Sequence, residues 1–195
     1  MKYFSPALVL MAALMLQTQA AYAGSITFMG NLSGANERPT PVVSPGTGVV
    51  TVILDPASQM LEEKVTFSDL TTPDNGAHIH CCAPIGTNAG VATAVPTLPG
   101  FPVGVTSGTF DQTFDLTNSA FYNPAFVTAN GGSVANAEAT LITGIEDGQA
   151  YFNIHTSTNP GGEIRSQLFS VPEPASLALL GSALFGFGLM RRRRG

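Results

Sequence analysis

The chain has only three histidines, and all lie in stretches that alternate like β-strands. In His78-Ile79-His80 both imidazoles take one face and Ile79 the other, because side chains alternate across a strand. His155 shares a face with Asn153 and Tyr151, opposite Phe152 and Ile154. Further on, Glu163, Arg165 and Gln167 share a face opposite Ile164, Ser166 and Leu168. Between these two stretches, Ser157 to Gly162 (Ser-Thr-Asn-Pro-Gly-Gly) reads as a tight connection, so they are expected to pair as a hairpin. If the His78 strand pairs nearby, the three polar faces merge into one patch.

Such a patch supports two chemistries. A His-x-His pair with a distant third His can supply three imidazole ligands, and neutral imidazole suits Zn, Cu, Fe or Ni. His78, His80 and His155 are then the metal ligands, with Zn or Cu as the candidate ion. Glu163 or Asn153 could orient a ring nitrogen from behind, and Cys81 could add a soft ligand. The same residues can instead form a hydrogen-bond network that holds the strands in register. His-x-His alone is a weak metal signal, so the network is the favoured reading.

Cys81 and Cys82 are the only cysteines and they are adjacent. In an oxidising compartment an even count suggests a disulfide. Here the options are a vicinal disulfide, two free thiols, links to another chain, or metal ligation. A regular strand sends the two side chains to opposite faces, so both could not reach one metal from it. No staple across the fold can be made from neighbours.

The elements that must carry these residues are mostly strands. Period-two or β-branched runs occupy 25–32, 48–54, 61–67, 105–116, 150–156 and 162–169, and 78–82 is short and extended. In 61–67, Leu61, Val65 and Phe67 face one way and Glu62, Lys64 and Thr66 the other. Residues 83–104, rich in Pro and Gly, read as a long surface loop. Ala135 to Ile145 reads as a short helix or a weak strand. This pattern predicts an all-β, single antiparallel sandwich or barrel.

The two ends of the 195-residue chain read as addresses. Residues 1–23 open with Lys2, continue with an apolar run from Ala7 to Leu16, and close on Ala21-Tyr22-Ala23. That is a signal peptide with cleavage expected between Ala23 and Gly24. At the other end stand Pro172-Glu173-Pro174, a mostly apolar segment over 175–190, and Arg191, Arg192, Arg193 and Arg194. The apolar segment, with its flanks, is expected to form a transmembrane helix. The arginines hold its C-terminus in the cytoplasm and leave the body outside. Residues 24–171 keep three basic and twelve acidic side chains, a net charge of −9. That excludes a nucleic-acid-binding body.

The motif over residues 172–195 resembles the PEP-CTERM sorting signal of Gram-negative bacteria. The resemblance implies an exosortase that removes the tail, with the export machinery as its other partner. It also implies delivery to the outer surface or the extracellular matrix of exopolysaccharide-producing bacteria, after a transient stay in the inner membrane. The body resembles a CHRD domain, the module named after chordin. The likeness rests on Ser33-Gly34-Ala35-Asn36-Glu37-Arg38-Pro39, Gly46-Thr47-Gly48, Ala77-His78-Ile79-His80, Tyr151-Phe152-Asn153-Ile154-His155-Thr156 and Asn159-Pro160-Gly161-Gly162-Glu163-Ile164-Arg165. Cys81 and Ser166 stand where members of the family often have glycine. The resemblance implies an immunoglobulin-like sandwich or barrel and no established reaction.

The sequence also lacks a Gly-x-Ser-x-Gly elbow, a Walker loop, His-Glu-x-x-His and Cys-x-x-Cys. No catalytic residue is therefore assigned. The leading expectation is a non-enzymatic binding or structural module of the envelope, with exopolysaccharide or surface proteins as partners. The alternative is a metal-binding, redox-capable protein using His78, His80 and His155.

Overall fold

A computed structural model describes residues 24–171. The signal peptide and the apolar C-terminal segment expected from sequence lie outside the described residues. Among those described, no helix is long and apolar enough to cross a membrane.

The strands are β1 (Ile26–Ser33), β2 (Thr47–Asp55), β3 (Met60–Ser68), β4 (Asp74–His80), β5 (Gly108–Asp115), β6 (Tyr151–Thr156), β7 (Ile164–Gln167) and β8 (Phe169–Ser170). Two helices, α1 (Pro124–Ala129) and α2 (Val134–Glu146), stand between β5 and β6. The strands form a single antiparallel sheet in the order β4-β6-β7-β1-β2-β3-β5, with β8 also on β1. Where the sequence pattern predicts a sandwich or barrel, the strands instead make one sheet, curled into a half-barrel. Part of the core closure comes from α2, which buries Ala137, Leu141 and Ile145. The stretch Ala135 to Ile145 is thus helical. Ser133 starts it, its side chain accepting a bond from the Asn136 N–H as helix N-caps do.

The strand phasing explains the core. Phe28 and Leu32 of β1, Val50, Val52 and Leu54 of β2, and Leu61, Val65 and Phe67 of β3 all point inward at alternate positions. Glu63 follows the same alternation and is therefore completely buried. Neither of its carboxyl oxygens has a partner among the described residues.

Residues 83–104 carry no regular strand but are not simply a surface loop. They run back along β4, pairing His80 with Val91. The Ala92 and Leu98 N–H groups donate to Ile79 O and Ala77 O. The exposed edge of β4 offers unpaired backbone groups, and this segment satisfies them. It buries Ala92, Leu98 and Phe101 in doing so.

Candidate metal centre

Strand β6 is the reason the polar patch exists. It pairs antiparallel with β4 on one side and β7 on the other, setting His78 beside Asn153 and Asn153 beside Arg165. Every residue of β6 is buried. Phe152 and Ile154 enter the apolar core, while Tyr151, Asn153 and His155 are covered by loops. The Ser157–Gly162 connection is the expected hairpin.

The three histidines converge. One nitrogen from each of His78, His80 and His155 lies within 4.8 Å of the other two. Gly76 is the cross-strand partner of His155. A Cβ there would stand 2.7 Å from Pro96 O and 3.5 Å from His78 Cε1, so only glycine leaves this space free.

Each ring is fixed by a backbone carbonyl. His78 Nε2 lies 2.9 Å from Pro96 O, His80 Nδ1 3.0 Å from Ala89 O, and His155 Nδ1 3.1 Å from Pro160 O. A carbonyl oxygen only accepts, so each of these nitrogens carries the proton. The tautomers then leave lone pairs on His78 Nδ1, His80 Nε2 and His155 Nε2. His80 Nε2 and His155 Nε2 are 3.3 Å apart, and His78 Nδ1 has no partner among the described residues. Two imidazoles on a tetrahedral ion, with bonds of 2.0–2.1 Å, bring their nitrogens to roughly the same separation.

Burial keeps the rings neutral. It lowers the pKa of His78 to about 4, helped by His155, and that of His80 to about 3. Burial lowers that of His155 too. Uncharged imidazole is the form that binds metal.

The surroundings differ in part from the sequence expectation. No bond joins Glu163 or Asn153 to an imidazole; backbone carbonyls do the orienting. The sequence carries no signal for this, since any residue has a carbonyl. Glu163 instead gathers Ser44, Thr71, Thr156 and Asn159 around its carboxylate. Asn153 faces Glu37, whose carboxyl burial pushes up to about 7 against the pull of Arg165 and Asn153. Cys81 is not among the converging ligand atoms; it is bonded to Cys82. The strand ends at His80, so the two sulfurs are not sent to opposite faces as a regular strand would send them.

A stack absent from the sequence reading supports the rings. Tyr151 lies parallel to His80 at 4.7 Å, and the Arg165 guanidinium carbon sits 3.3 Å from the centre of the Tyr151 ring. Arg165 also donates to Thr87 O and Asn88 Oδ1, tying down the loop that supplies Ala89 O.

Gly162 closes the patch from above. Its φ of +128° favours glycine, and a Cβ would fall 2.2 Å from Asn153 Nδ2. Gly162→Ala is expected to destabilise the protein by about 2 kcal/mol. Thermal melts of the two proteins measure this, and unchanged melting temperatures would contradict the packing.

The PEP-CTERM protein-sorting motif matches residues 170–194. It implies an exported protein that is handled by exosortase-type machinery and sorted to the cell surface. No curated protein and no solved structure matches the chain. The CHRD domain model matches residues 28–168, which include every strand of the polar patch, and the chain belongs to the CHRD domain family.

Proposed function

We propose that this exported protein is a metal-binding module of the cell surface, with His78, His80 and His155 holding one transition-metal ion, Zn(II) or copper. One observation carries the reading: three backbone carbonyls fix three tautomers, leaving the His80 and His155 lone pairs facing each other and His78 Nδ1 bare, in a cluster where one nitrogen of each ring lies within 4.8 Å of the others. A hydrogen-bond network would pair each acceptor with a donor. Here His78 Nδ1 is orphaned, and two acceptors face each other across 3.3 Å. A cation resolves both. Three ligands with no carboxylate among them leave a fourth position for water or a small ligand. In this reading the sorting signal delivers the body to the outer surface or matrix, and the apolar tail anchors it only until it is cut.

The test is metal content. Protein exported from the full-length chain and purified without chelator should contain close to one equivalent of Zn or Cu by elemental analysis. His78→Ala and His155→Ala should each lose it while keeping the wild-type far-ultraviolet circular dichroism. Metal-free protein that takes up neither ion on incubation would refute the reading.

A further inference from the structure

The chain's other concentration of chemistry is the bonded pair Cys81–Cys82, which directly follows His80. We propose that this disulfide is a thiol–disulfide exchange site, open to an external dithiol, and that its reduction weakens metal binding by the three imidazoles. The proposal rests on the metal reading above.

The pair stands at the root of one loop, which backbone bonds fasten there. Cys81 N–H donates to Gly90 O, and His80 bridges Val91, so residues 81–90 leave β4 and return to it. The returning arm carries Ala89 O, which holds the His80 ring, and Thr87 O with Asn88, which hold Arg165. The start of the loop is held from the other side, where Ala83 N–H donates to Gln149 O. The disulfide therefore sits between His80 and the loop that orients it.

Both sulfurs lie flush against α2. A Cβ on Gly144 would come within 2.3 Å of each, so no side chain fits between helix and disulfide. Cys81 is buried and Cys82 is exposed. Cys82 opens into a cleft of about 340 Å³ bounded by Thr140, Thr143, Gly144 and Gln149. Of the two cysteines, Cys82 is therefore the one an incoming thiolate reaches first.

The exchange balances as follows. A thiolate of the incoming dithiol attacks Cys82 Sγ, the Cys81–Cys82 bond breaks, and its electron pair leaves on the Cys81 sulfur, which takes a proton. The second thiolate of the dithiol attacks its own sulfur in the mixed disulfide and expels the Cys82 thiolate, which takes the second proton. The dithiol departs as a disulfide, having given two electrons. Thr140 O, 3.5 Å from Cys82 Sγ, stands ready to accept from the new thiol. Two unbonded sulfurs need more room than two bonded ones. Gly144 closes the helix side to both sulfurs, so Cys82 can turn only into the cleft, while buried Cys81, the residue after His80, loses the partner that holds it against α2. A ligand set that is no longer held in place binds metal more weakly.

Zn(II) is the probe, because it has no redox chemistry of its own. Protein exported from the full-length chain would be compared before and after treatment with a water-soluble phosphine, with thiols counted in each sample. A Cys81→Ser/Cys82→Ser double variant would serve as a permanently open form. The reduced protein and the double variant should each bind Zn(II) at least tenfold more weakly than the oxidised protein while remaining folded. Native protein exposed to a small dithiol should show both thiols. Equal affinities with both thiols present would overturn the coupling and leave the metal site standing, as would tighter binding after reduction. A disulfide that opens only on unfolding would overturn the exchange site. Failure of every form to bind Zn(II) or copper would remove the metal reading and the coupling with it.

Discussion

Glu63→Met should make the protein more stable, and the pH-dependent part of the gain should be about 3 kcal/mol at pH 7 and shrink toward zero near pH 4.5, leaving the pH-independent gain of removing an unpaired buried carboxyl. Glu63 is fully buried on the core face of β3, with both oxygens unpartnered. Burial raises its pKa from 4.5 to about 8. Between those values the folded chain holds a proton that the unfolded chain has released. Stability therefore falls as pH rises through this window, and the whole penalty is present above about pH 8. At about 1.36 kcal/mol per pH unit, reaching pH 7 from 4.5 costs about 3 kcal/mol. Methionine keeps the length of the side chain and removes the titration. Thermal melts of both proteins from pH 5 to pH 8 provide the check. The separation should widen by roughly 6–12 °C between pH 5 and pH 7. Curves that stay parallel across the range would mean that Glu63 finds a partner in solution.

Glu163→Ala should act in the opposite direction, destabilising the fold by about 4 kcal/mol. The Glu163 carboxylate accepts from Ser44 Oγ at 2.6 Å, the Thr71 N–H at 2.6 Å, Thr156 Oγ1 at 2.7 Å and Asn159 Nδ2 at 3.4 Å. Removing it strands four donors from three segments, that of Thr156 buried and the others part-buried, and each loss costs more than an ordinary hydrogen bond because the acceptor is charged. Burial alone would raise its pKa, but the bonds from Ser44, Thr71 and Thr156 outweigh it and hold the value below 4.5. The stabilisation is therefore complete above the unfolded value and disappears as pH falls through the folded one. Urea unfolding at pH 7 and in acid would measure both effects. The variant should lose most of its deficit relative to wild type in acid. Glu163 also braces the connection that carries Pro160 O, so the variant should bind metal less well. A loss under about 1 kcal/mol would show that the four donors find water instead.

These two glutamates mark where reading the sequence succeeds and where it stops. Strand alternation put His78 and His80 on one face, and put His155 with Asn153 on another. A hairpin turn at Asn159-Pro160-Gly161-Gly162 is enough to pair β6 with β7. Those are local properties of a chain with a two-residue period, and they are legible one stretch at a time. The same alternation sets Glu63 on the core face with Leu61 and Val65, yet a carboxyl is an implausible core residue from composition alone.

The sequence by itself determined most of the strands, the sorting motif at the C-terminal end and the residues that belong together on each polar face. Only the tertiary structure decided that β4 lies beside β6, a pairing between residues roughly seventy to eighty positions apart in the chain. Only it decided that Pro96, Ala89 and Pro160 turn their carbonyls toward three rings. It also decided that Cys81 and Cys82 share one side against Gly144. The physical reason is the same in each case. A carbonyl's direction, a strand's neighbour and the space beside a glycine are set by segments far away in the chain, and no local residue pattern encodes them.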